Sequence, residues 1–148
     1  MVDLVFNVAL HELDRFNWQT TPLDIRVLLL VTAEADEALR DHEDIAALLA
    51  AASVEASTMT SYARLALTGE TKTVDNTNNQ VDFDAADAAF GVLGNGANQT
   101  TTDVITFEEG ASDALREPVS LHDAVFTSDG SAVTIQWAAN AVWRAAGV

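Results

Sequence analysis

Two alternating runs of apolar and polar residues flank a polar cluster in the stretch Thr71–Asp84. Val74, Val81 and Phe83 are the apolar members, and this period of two is typical of strands buried on one face. The segment between the runs, Asp75–Asn79, consists of residues that tolerate turn conformations. The stretch therefore predicts a β-hairpin, and a hairpin needs other strands to cover its apolar face.

Short apolar runs elsewhere in the chain supply those strands. The stretch Asp24–Thr32, with its nearly continuous apolar run, predicts a central strand buried on both faces. Further strands are predicted at Asp103–Glu109 and Arg116–Asp123, and Pro118 indicates that the latter lies at a sheet edge. Strands that recur about every ten residues favour a sandwich. We expect a mainly β chain that forms an antiparallel, jelly-roll-like β-sandwich.

Helical patterns occur only in the N-terminal half. Val2–Asn17 carries apolar residues on one helical face, and Ala33–Ala52 is rich in alanine. The acidic run that starts at Asp41 resembles a capping box. We therefore expect one or two short helices. A chain of 148 residues is the size of one domain, so residues 1–148 are predicted to form a single sandwich.

The C-terminal segment is predicted to form a closing hairpin that packs against the core. Alternation puts Val133, Ile135 and Trp137 on one face, which makes Trp137 the expected centre of the core. Trp143 is expected on the opposite side, half exposed in the isolated subunit and available to a neighbouring subunit. Trp143 and Trp18 are the candidate interface residues.

The balance of charge restricts the partners of the protein. The chain has 23 acidic and 7 basic residues, for a formal net charge of −16, and Lys72 is its only lysine. Such a charge repels nucleic acid and anionic membranes, so neither is expected as a partner. Molar salt screens repulsion over about 3 Å. The excess of carboxylates therefore predicts a protein from a halophilic source.

No pattern of catalytic residues is found in the sequence, and no enzymatic activity is expected. The chain contains no cysteine, which excludes disulfides and thiol chemistry. His11, His42 and His122 share no metal-ligand spacing. His122 could act on Ser120, although a relay through the adjacent Asp123 is disfavoured because neighbouring residues of a strand point to opposite faces. A soluble protein synthesised in the cytoplasm is expected, because no signal peptide or bilayer-spanning run is recognisable.

An acidic cluster at the hairpin is the candidate metal site. Carboxylate oxygens suit a structural Ca²⁺ or Mg²⁺ ion. The cluster does not follow the EF-hand pattern, since Gln80 and Ala86 occupy the positions of its glycine and its bidentate glutamate. The alternative is a solvated acidic hairpin without any cofactor. The candidate ligands are Asp75, Asp82, Asp84 and Asp87.

Several short motifs follow one another along the chain in a characteristic order. They are Ile25–Thr32, Asp41–Glu43, Tyr62–Arg64, Leu67–Gly69, Thr73–Asp87, Val104–Phe107, Leu121–Asp123 and Gly130–Trp137. In this order they resemble a family of small structural proteins encoded by tailed viruses of bacteria and archaea. The block Val74–Asn79 is the most specific part of the resemblance.

The resemblance implies a virion component without enzymatic activity. We expect a decoration or turret protein on the head surface, synthesised in the host cytoplasm. The implied partners are the major capsid protein or other virion proteins, and further copies of this chain in a trimer or pentamer. Two alternatives remain open at this point: a tail or baseplate protein, and a carbohydrate-binding module.

Overall fold

The structure of the protein is a computed structural model that describes residues 4–7, 24–138 and 141–146. These residues are mainly β with two short α-helices, as the sequence predicts, and they also contain one 3₁₀ helix. The strands are β1 Leu4–Val5, β2 Ile25–Thr32, β3 Val54–Glu55, β4 Leu65–Ala66, β5 Thr71–Asp75, β6 Gln80–Asp84, β7 Ala88–Val92, β8 Asp103–Glu108, β9 Glu117–Asp123, β10 Ala132–Ile135 and β11 Trp143–Ala146. The helices are α1 Asp36–Leu39, α2 Ile45–Ala50 and the 3₁₀ turn Asp113–Leu115.

Three antiparallel sheets are formed by these strands. The main sheet has the order β1-β9-β8-β2-β3, and β4 also pairs with β2. The hairpin sheet has the order β11-β6-β5, and the small sheet consists of β10 and β7. The jelly-roll arrangement stays a prediction, because the described strands form three sheets rather than two.

The main sheet is buried on both faces, so two cores flank it. On one face, side chains such as Val27 and Leu29 pack with Phe83 and Trp143 of the hairpin sheet. On the other face, Leu28 and its neighbours form the second core together with the two helices. The alternation of faces along β2 explains why its sequence is nearly all apolar. The central strand predicted at Asp24–Thr32 is confirmed, and it begins one residue later, at Ile25.

The second core joins the helices to the main sheet. Ile45 and Leu48 of α2 and Leu39 of α1 are fully buried there. The helical region is shorter than Ala33–Ala52, because it is divided into two helices. The N-cap of α2 is Asp44, whose carboxylate accepts a hydrogen bond from the Ala47 N–H at 2.7 Å.

Two predictions are wrong because of a pairing between distant segments: the helix at Val2–Asn17 and the edge position of the strand at Arg116–Asp123. A helix is predicted at Val2–Asn17, but Leu4 and Val5 within it form a strand that pairs with Leu121 and Ser120. Of the predicted helix, the structure describes residues 4–7, and the rest lies outside the described ranges. Because of this pairing, β9 lies between β8 and β1 instead of at an edge.

Pro118 is tolerated inside the main sheet for two local reasons. The register between β8 and β9 shifts next to its partner Phe107, so proline stands at a bulge. The pairing of β1 reaches only Ser120 and Leu121. The N–H that proline lacks is therefore not needed on that side of β9.

The closing strands do not form the predicted hairpin with each other. β10 pairs with β7, whereas β11 pairs with β6, with Trp143 opposite Phe83. The predicted hairpin at Thr71–Asp84 is confirmed, with Val74 opposite Val81. No helix among the described residues is long and apolar enough to cross a membrane.

Candidate functional site

The turn of the β5–β6 hairpin is organised by one carboxylate. Asp75 accepts hydrogen bonds from the backbone N–H groups of Thr77 and Asn78, at 2.8 and 3.1 Å, and from the Asn78 side-chain amide at 2.6 Å. The bond from the Asn78 side chain is the main reason why the pKa of Asp75 lies below its ordinary value. Asn79 adopts a φ of 52°, in the left-handed region that asparagine tolerates. The turn therefore uses the polar residues that identified it in the sequence.

Three of the four candidate metal ligands line one groove beside the hairpin, and Asp87 is not part of its lining. Asp75, Asp82 and Asp84 line a shallow groove of about 550 Å³ together with hairpin threonines. Asp82 is paired with Arg144 of β11. Asp87 instead accepts a hydrogen bond from the Trp137 N–H at 3.2 Å. Within the described ranges, no group of three or more His, Asp or Glu residues could hold a metal ion.

A network of ion pairs crosses the surface beside β4 and the 3₁₀ turn. Arg64 donates two hydrogen bonds to Glu55, at 2.8 and 2.7 Å, and also pairs with Asp113. Arg116 links Asp113 to Glu109. The hydrogen bond from Arg64 is the main cause that holds the pKa of Asp113 below its ordinary value. Bidentate geometry of this kind joins distant segments in a fixed orientation.

Tyr62 connects this network to the main sheet. Its hydroxyl donates to Glu55 at 2.8 Å and accepts from the Leu29 N–H at 3.1 Å. Burial raises the pKa of Tyr62, so the phenol remains neutral and keeps its donor. Leu29 lies between the parts of β2 that pair with β4 and with β3. The hydroxyl thus satisfies a backbone group in the gap between two short strands.

The two described tryptophans have environments opposite to those predicted. Trp143 is 4% exposed and stacks on Phe83, with ring centroids 3.9 Å apart and planes within 3°. Trp137 is only half buried. The prediction that Trp143 is half exposed is wrong, because β11 pairs with β6 and so directs this ring into the core. Trp18, the other candidate interface residue, lies outside the described residues, as does His11.

A chain of hydrogen bonds leads from the interior of the sandwich to His122. The hydroxyls of Thr106 and Ser120 are 2.6 Å apart, and the Ser120 hydroxyl lies 2.9 Å from His122 Nε2. The proximity of Ser120 and His122 agrees with their positions two residues apart on one strand. Ser120 is only 1% exposed, so a substrate cannot reach its hydroxyl. The buried Ser120 hydroxyl thus orients the imidazole from the interior.

Asp103 is a buried carboxylate that the sequence did not single out. It is 0% exposed, and neither of its oxygens has a hydrogen-bond partner among the described residues. Burial is the main cause that raises its pKa; the nearby Thr102 side chain lowers the pKa in part, and the carboxylates of Asp123 and Asp36 raise it. Its place in the alternating strand β8 could have indicated burial, because its face carries Ile105 and Phe107.

The described geometry thus contains an acidic hairpin, an ion-pair network and an oriented histidine beside a half-buried tryptophan. No protein-family model, no curated protein and no solved structure matches this chain.

Proposed function

We propose that this protein is a non-enzymatic structural component of the virion of a halophilic tailed virus, exposed on the exterior of the head as a decoration or turret protein. The disposition of charge carries the proposal. Each described arginine is already paired with a carboxylate, and acidic side chains such as Asp41, Glu43 and Asp129 are exposed to solvent. The arginines are Arg26, Arg40, Arg64, Arg116 and Arg144.

An acidic surface of this kind favours the outside of the head. Packaged DNA repels a domain with a formal net charge of −16, whereas a solvent-facing position in concentrated salt tolerates it. The resemblance to small structural proteins of tailed viruses supports the same assignment. A tail or baseplate position is the second candidate, because it also faces solvent.

The partners in this proposal are the major capsid protein and further copies of this chain. Components of closed shells assemble with rotational symmetry, which favours a trimer or pentamer. Multi-angle light scattering in molar KCl measures the mass of the assembly directly. A trimer or pentamer supports the proposed assembly, and a strict monomer across the accessible concentration range contradicts it.

Immunogold electron microscopy of intact virions distinguishes the candidate positions. Antibodies raised against the purified protein are expected to label heads. Label confined to tails would replace the head assignment by the second candidate. A complete lack of label, on both intact and disrupted particles, would overturn the virion proposal. The matched control is the same serum after absorption with the purified protein.

A further inference from the structure

A cavity lies where the end of β9 meets the segment between β10 and β11. It has a volume of about 340 Å³, within the range of roughly 300–1,000 Å³ that is typical of small-molecule sites. Its described lining combines aromatic, aliphatic and polar side chains. The lining includes His122, Asp123, Ile135, Gln136, Trp137 and Val142.

Trp137 forms a rigid wall of this cavity. Its indole N–H donates to the Ala86 carbonyl at 3.1 Å, and its backbone N–H donates to Asp87 at 3.2 Å. The indole ring lies against His122, with centroids 5.2 Å apart and planes tilted by 57°. The ring is therefore held in place although it is only half buried. A fixed, partly accessible indole is a surface on which an apolar ring face can pack.

The neighbouring imidazole is oriented by groups behind the cavity. His122 Nε2 lies 2.9 Å from the Ser120 hydroxyl, which in turn lies 2.6 Å from the Thr106 hydroxyl. Both hydroxyls are inaccessible to solvent. A satisfied buried chain of this type fixes the ring it reaches. Two of the cavity's rings are thus in position before a ligand arrives, which lowers the entropic cost of binding.

The lining favours a ligand that has an apolar ring face and a polar edge and that carries no negative charge. Ile135 and Val142 supply apolar contacts, and the exposed amide of Gln136 offers a donor and an acceptor. The carboxylate of Asp123 also lines the cavity, and none of the described lining residues is a lysine or an arginine, so an acidic ligand is disfavoured. A pyranose has one apolar C–H face and hydroxyl groups at its edge. We propose that this cavity binds a neutral pyranose unit of a glycan, which goes beyond the structural role proposed above and does not depend on it.

Saturation-transfer difference NMR in molar KCl tests this proposal directly. The probes are the methyl glycosides of glucose, galactose, mannose and N-acetylglucosamine. Methyl glucuronide serves as the anionic comparison, and adenosine serves as a flat aromatic one. We expect transfer to the ring protons of at least one neutral glycoside, and little to the two comparison ligands. No transfer to any neutral glycoside, or equal transfer to methyl glucuronide or adenosine, would overturn the proposal.

Variants connect the binding to the cavity. Trp137→Ala is expected to weaken the affinity for the bound glycoside by about tenfold, and Gln136→Ala by about threefold. Gln136 is exposed, so its replacement leaves the fold intact. If Trp137→Ala does not fold, the affinity of Gln136→Ala alone tests whether the glycoside binds in the cavity. The matched control is Leu115→Ala, at a residue 65% exposed on the 3₁₀ turn and outside the cavity. Unchanged binding in both cavity variants, or an equal loss in the control, would contradict the site.

Discussion

Trp143 and Phe83 form a stacked aromatic pair inside the sandwich, where β11 lies beside β6. Buried aromatic side chains contribute through their large apolar area and through the geometry of the ring contact. Trp143 therefore ties the last described strand to the centre of the hairpin sheet. Trp137 lies half buried at the edge of the cavity, so folding removes less of its apolar surface from water than it does for Trp143.

Replacement of Trp143 by alanine is expected to lower the free energy of unfolding by about 3–5 kcal/mol, because it leaves a large cavity beside Phe83. Urea denaturation at constant molar KCl measures the change. Trp137→Ala, the matched control, is expected to cost less than half as much. A larger loss for Trp137→Ala than for Trp143→Ala would contradict the observed packing.

Asp103 is expected to limit stability near neutral pH. Its folded pKa is raised by burial, so the folded state binds a proton more tightly than the unfolded state. The stability it contributes is complete below its unfolded pKa of about 3.9 and is lost as pH rises through the folded pKa. Asp103→Asn removes this loss. The difference in unfolding free energy between Asp103→Asn and the parent should therefore increase from about pH 4 to pH 7.

The measurement is a set of urea denaturation curves at several pH values and constant KCl concentration. Glu43→Gln, at an exposed position, removes one negative charge without touching the core and controls for net charge. A difference that stays constant with pH, or that is reproduced by Glu43→Gln, would show that Asp103 does not titrate in this way.

At the scale of elements, the β5–β6 hairpin depends on the acceptors of its turn. Asp75→Ala removes the acceptor for three hydrogen bonds from Thr77 and Asn78. We expect severalfold faster amide hydrogen exchange in β5 and β6, measured by NMR, with little change in α2. These bonds lower the pKa of Asp75. The stability that its carboxylate gives to the turn is therefore present at neutral pH and is lost only as pH falls through the lowered pKa.

Asn76→Ala is the matched control for this turn, since it changes a neighbouring turn residue and leaves the Asp75 carboxylate in place. Equal acceleration of exchange in both variants would assign the effect to the turn backbone rather than to the carboxylate. Acceleration that spreads to α2 would mean that the hairpin does not open separately from the rest of the domain.

Local patterns predicted those elements whose identity depends on nearby residues. The hairpin and the double-sided burial of β2 follow from period, turn chemistry and apolar content. The partner of a strand depends instead on distant segments, so the pairing of Leu4–Val5 with β9 and of β11 with β6 was missed. The error at Trp143 has this origin, because alternation defines two faces of a strand without saying which face meets the core. The cavity likewise joins β9 to the segment after β10, which are distant in sequence.

At the scale of the whole molecule, two electrostatic effects of salt oppose each other. The formal net charge of −16 produces repulsion that salt screens. Salt also weakens the attraction within the ion-pair network. The pair of Arg64 with Glu55 has side chains only 17% and 13% exposed, so salt screens it less than it screens the exposed carboxylates. The relief of repulsion should therefore dominate, and the folded state should gain stability as salt increases.

The melting temperature is accordingly expected to rise on the order of 10 °C when KCl is raised from about 0.01 M to about 1 M, as the Debye length falls from about 30 Å to about 3 Å. Differential scanning calorimetry measures the change. KCl is preferred to sulfate, which also strengthens apolar burial by exclusion from the protein surface, and a sucrose series of equal osmolality controls for exclusion. A flat or falling melting temperature would refute adaptation to molar salt. It would also remove the support that charge gives to a solvent-facing position on a halophilic virion, without bearing on the pairing of strands or on the cavity beside Trp137.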